Sequence, residues 1–153
     1  MKKFKFKMQR LLDLREAREE EVKNELAKVL SVQNRERTKQ YELRQKIEEN
    51  KDRFHEMLQE GRLSSSELMM FEKYVDVSLR AIDSAEQRIQ GMEPEVNRIR
   101  EKLVEVSRER KVVEKLKEKQ LNEYDIHINR EIRKENDDLN QKIYLRRKAS
   151  EMM

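Results

Sequence analysis

The stretch LMMFEKYVDVSLRAIDSAEQRIQGMEPEVNRIREKLVEV, residues 68–106, decides the fold. Stepping through it by three and four residues in alternation meets Leu68, Phe71, Val75, Ser78, Ile82, Ala85, Ile89, Met92, Val96, Ile99, Leu103 and Val106, and eleven of these twelve are apolar. A mean spacing of about 3.5 residues marks a helix that supercoils against another helix with knobs in holes, not one lying on a broad globular core. Such a seam needs a partner.

The preceding residues supply one. The same stepping from Met8 to Met57 gives fifteen positions, nine of them apolar: Met8, Leu12, Val22, Leu26, Val29, Leu43, Ile47, Phe54 and Met57. The six polar positions are Arg15, Glu19, Gln33, Glu36, Gln40 and Asn50. Between the two seams lies Gly61-Arg-Leu-Ser64-Ser-Ser-Glu67. Glycine there ends one helix, and Ser64 followed three residues later by Glu67 is a capping box that starts the next. Two long helices joined by so short a turn are expected to fold back as an antiparallel hairpin. Folding about residues 62 and 63 places Met57 opposite Leu68 and Val22 opposite Leu103. The arm from Met8 to Met57 would then be about 75 Å long at 1.5 Å per residue.

Composition agrees with an all-α chain. Hydrophobic residues are 35% and charged residues 44% of 153, with two glycines, one proline and no tryptophan, which leaves too little to bury in a multi-layer core. Ala, Glu, Lys, Leu and Arg fill 81 positions, the share expected of long helices. The 68 charged side chains sum to only +4, so the signs are interleaved along solvated helix faces and specific nucleic-acid binding is not expected. There is no cysteine, hence no disulfide framework and no thiolate chemistry. The basic start Lys2-Lys-Phe-Lys-Phe-Lys7 resembles the front of a signal peptide, but Gln9, Arg10 and Asp13 interrupt any apolar region behind it, and no apolar run is long enough to span a membrane. A cytosolic protein is expected.

Residues 1–60 are therefore read as the first helix, 61–64 as the turn, 65–124 as the second helix paired with the first, and 125–153 as an unpaired, charged, partly disordered helical extension overhanging the hairpin. Gly91 and Pro94 predict a kink in a continuous helix, because the heptad phase runs from Met92 to Val96 without a skip. The same level of the first helix carries Gln33, Glu36 and Gln40 in its seam, so the middle of the hairpin is expected to pack poorly compared with its ends, either as a tolerated weak spot or as a hinge.

Chemistry is hard to build on such a chain. His55 and His127 lack neighbouring ligands for a metal, adjacent carboxylates such as Asp137 and Asp138 point to different faces, and two glycines cannot form a phosphate cradle. The expectation is a non-enzyme with no cofactor and no small-molecule substrate, which acts by binding proteins. One surface feature stands out. Met70, Tyr74, Val77 and Ala81 make a second apolar stripe beside the seam, read either as a broadened seam or contact with a second copy, or as a docking face for another protein anchored by Tyr74.

Phe4-Lys-Phe6 followed by Leu11-Leu12-Asp-Leu14-Arg15, the turn from Gly61 to Ser64, Phe71-Glu-Lys-Tyr74 and Val113-Glu-Lys-Leu116-Lys resemble, in order and spacing over nearly the whole chain, the FliJ family of flagellar export proteins. The resemblance implies a stalk-like coiled coil of the type III export apparatus, cytoplasmic and peripheral at the inner face of the membrane at the flagellar base. It implies three partners: the export ATPase ring, whose assembly it promotes; the cytoplasmic domain of the export gate membrane protein; and export chaperones. Met8, Leu11, Leu12, Arg15, Val113 and Leu116 would face the ATPase. Tyr74 and Ala81, with Met70 and Val77 added from the stripe, would face the gate. A monomer in isolation is expected, the alternative being a homodimeric cytoplasmic scaffold or spacer unrelated to export.

Overall fold

Gly61 ends the first helix by taking a left-handed conformation, φ 68°, which a residue without Cβ adopts at no steric cost. The Arg62 amide then donates to the Met57 carbonyl at 3.1 Å and the Gly61 amide to the Leu58 carbonyl at 3.3 Å. This pair of bonds satisfies carbonyls that have no further helical donor. Ser64 Oγ accepts the Glu67 amide at 3.2 Å and so opens the second helix. The computed structural model describes residues 3–152. Among them are two helices, α1 (Gln9–Gln59) and α2 (Ser65–Glu151), packed against each other, and no strand.

One boundary differs from the reading of the sequence. α1 begins at Gln9, not within the opening residues, because Phe4 and Phe6 are held by packing outside any helix. α2 continues through the segment read as a helical extension to Glu151, although every residue from 129 to 152 is exposed. It also runs through Pro94 without interruption.

The chain divides into two compact units, one of Met1–Arg18 with Val106–Met153, the other of Glu19–Glu105. In the first, Phe6, Leu12 and Val113 form a buried cluster, with Phe4 and Leu116 packed on it. In the second, Val22, Ile82, Ala85, Ile89, Val96 and Ile99 are buried apolar residues.

The expectation of a poorly packed middle is wrong. Gln33 is 1% exposed and Gln40 5%, and Glu36 is buried with them. Gln33 Nε2 donates to the Ile89 carbonyl at 3.2 Å and to Glu93 Oε1 at 3.3 Å. Gln40 Nε2 donates to the Ile82 carbonyl at 3.1 Å and to Glu86 Oε2 at 2.9 Å. Glu36 Oε2 accepts from Arg88 Nε at 3.2 Å and Nη2 at 3.0 Å. Polarity in the seam signals poor packing only when donors and acceptors are left unpaired, and here each side chain has found its complement. The looser packing lies beside the turn, where Met57 and Leu68 stay more than a third exposed.

The Arg88 guanidinium, first by its hydrogen bonds and then by its charge, holds the Glu36 carboxyl below the usual carboxylate range against the opposing effect of desolvation, with Lys39 assisting. A carboxyl depressed in the folded state adds stability that is complete above its unfolded value and is lost as pH falls through the lower folded value. Glu36→Gln is therefore expected to lower the melting temperature at neutral pH and to flatten its decline on acidification. Circular dichroism melts across that range check both.

Candidate functional site

The first candidate surface is a groove in the unit of Glu19–Glu105. It is lined from α1 by Asn50, Arg53, Phe54 and Met57, from the turn by Leu63, and from α2 by Glu67, Met70, Phe71 and Tyr74, and encloses about 330 Å³. The Phe54 and Phe71 rings stack with centroids 4.4 Å apart and planes 13° from parallel, a contact worth more than its buried area alone. The stacked rings give this groove an apolar centre. Met70 lies at its edge, 73% exposed, and Tyr74 is half-buried. The rest of the stripe lies elsewhere. Val77 is exposed and does not line the groove, whereas Ala81 lines a separate depression with Leu43, Ala85 and the charged Lys39, Glu42, Lys46 and Arg88.

The second surface surrounds the cluster in the other unit. The Gln9 amide donates to the Phe6 carbonyl at 3.1 Å, turning the opening segment into α1. Phe6 is thereby laid against Leu12 and Val113, and the Phe4 ring meets Tyr124 at 5.6 Å and 49°. Arg15 Nη1 binds Glu109 Oε2 at 2.6 Å, both side chains partly exposed. The six residues expected to face the ATPase thus separate by role. Leu12 and Val113 are interior, Leu116 packs on them, Arg15 ties α1 to α2, and Met8 and Leu11 are the exposed apolar pair.

Phe6 joins the core from outside the heptad run, which starts at Met8. The signal was present in the alternation Lys3-Phe4-Lys5-Phe6-Lys7, which in an extended chain puts both rings on one side and the ammonium groups on the other. Among the described residues no group of three or more His, Cys, Asp or Glu gathers to hold a metal. No helix of the described residues is long and apolar enough to cross a membrane.

Two long packed helices, with an apolar groove in one unit and an exposed apolar margin in the other, define an all-α protein. A family model described as Flagellar FliJ protein matches residues 4–149. The chain belongs to this family, whose members are non-catalytic components of flagellar export. No curated protein and no solved structure matches it significantly.

Proposed function

We propose that this chain is a stalk-like antiparallel hairpin of the flagellar type III export apparatus. It engages the export ATPase ring near the cluster of Phe6, Leu12 and Val113, promotes ring assembly, and meets the export gate and export chaperones through other surfaces. The family match over residues 4–149 carries this reading. The hairpin is supported by the order of contacts: Gln33 of α1 binds Ile89 of α2, whereas Gln40, further along α1, binds Ile82, earlier on α2. The work then takes place in the cytoplasm, at the inner face of the membrane.

At the ATPase side, Met8 and Leu11 make direct contact, and Leu12, Arg15, Val113 and Leu116 hold them in place. At the gate side, Met70 and Tyr74 present the groove, with Val77 and Ala81 extending the surface. ATP hydrolysis and ring assembly by the purified flagellar export ATPase, with and without a stoichiometric amount of this chain, test the assignment. Stimulation is expected, and its absence with both proteins folded overturns the stalk role. Tyr74→Ala should leave helicity and melting almost unchanged while weakening binding to the gate's cytoplasmic domain in a pull-down or by calorimetry. A marked loss of stability would assign Tyr74 to the core.

A further inference from the structure

Gln33 and Gln40 stand seven residues apart on α1, and their acceptors on α2 are seven apart as well: Ile89 and Glu93 for one, Ile82 and Glu86 for the other. Each amide gives one hydrogen to a main-chain carbonyl and one to the carboxylate a turn further on. Between them Glu36 is gripped by Arg88. Apolar seams discriminate weakly among partners and registers, whereas a buried polar residue tolerates only an arrangement that satisfies it.

The sequence shows how narrow that tolerance is. Slide α2 one heptad one way, and Gln40 meets Val75 and Leu79 while Glu36 meets Ala81. Slide it the other way, and Gln33 meets Val96 and Arg100 while Glu36 meets Glu95. Either slip strands one amide without its carboxylate and takes Arg88 from Glu36. A parallel pairing of α1 with α1 of a second copy would bring Glu36 against Glu36.

We propose that Gln33, Glu36 and Gln40 are specificity determinants that hold α1 on α2 in a single register and keep other coiled-coil helices, α1 of a second copy included, out of the seam. This rests on the hairpin reading above. It leaves the apolar groove and the Met8–Leu11 margin as the surfaces open to partners.

The absence of cysteine allows a direct test. Phe54→Cys with Phe71→Cys, in an otherwise unchanged chain, should bridge within the monomer of 18.8 kDa on oxidation or with a short bis-maleimide. Failure of that bridge overturns the hairpin and the register lock with it. Given the bridge, Gln33→Leu, Glu36→Leu and Gln40→Leu together should retain helicity and melt no earlier, yet give higher-mass species in sedimentation and bridging of Phe54→Cys to Ser78→Cys, one heptad out. A triple variant that stays monomeric and bridges only to position 71 overturns the lock while leaving the hairpin intact. Should the triple variant not fold, Gln33→Leu with Glu36→Leu decides. In the slip toward Ser78, Gln40 inherits the Ile89 and Glu93 acceptors, so bridging from 54 to 78 should rise several-fold, and no rise overturns the lock.

Discussion

Leu12→Asp is expected to cost at least about 4 kcal/mol of local stability and to abolish stimulation of the export ATPase together. Leu12 is 3% exposed and packs with Phe6 and Val113. Removing its isobutyl group alone costs about 2–5 kcal/mol, and a buried carboxylate adds a desolvation cost unless the cluster opens to water. Opening releases Phe6 and Phe4, and with them the geometry of Met8 and Leu11. Leu11→Asp is the control, because Leu11 already meets solvent. It should leave the melting curve almost unchanged and reduce only ATPase engagement. Thermal melts alongside ATPase assays separate the two, and equal destabilisation by both variants would contradict the division into interior and exposed roles.

Phe6→Ala should destabilise the same unit by about 3 kcal/mol while leaving total helicity almost unchanged, because a buried ring removed from a core costs about 3–5 kcal/mol and this segment can relax part of the way. The sign of the effect lies in locality. Residues 3–6 are outside α1, so total helicity by circular dichroism should hardly change at low temperature. Hydrogen exchange near Val113 and Leu116 should accelerate, while exchange near Val96 and Ile99, in the other unit, should not. An unchanged exchange rate at Val113 would mean that Phe6 covers nothing.

Helix number, type and the turn were legible in the sequence because each rests on local rules. The four-three alternation from Leu68 to Val106, Gly61 and the Ser64 cap all act within a few residues of themselves, and all three are realised. What could not be read depends on atoms brought together from far along the chain. Gln33 looks like a defect until Ile89 and Glu93, some sixty residues on, are placed against its amide. The joint groove of Met70 and Tyr74 needs Phe54 and Met57 from the other helix, and the stripe alone gave no hint that Ala81 belongs to a different depression. Phe6 lies outside any helical period, and only its packing against Leu12 and Val113 makes it interior.

α2 is one unbroken helix of 87 residues, yet its buried residues lie between Ser78 and Val113 and those from 129 to 151 are exposed to water. An exposed helix of some two dozen residues is supported only by its own propagation and by local pairs such as His127 with Glu131. Warming should therefore unravel it from its far end long before the packed seam yields. A calorimeter would record a sloping prelude ahead of the main peak, and a protease would shorten the chain in steps from Glu151 backward. A single helix thus carries a gradient of permanence along its length, firm where its side chains are buried and provisional where they are exposed.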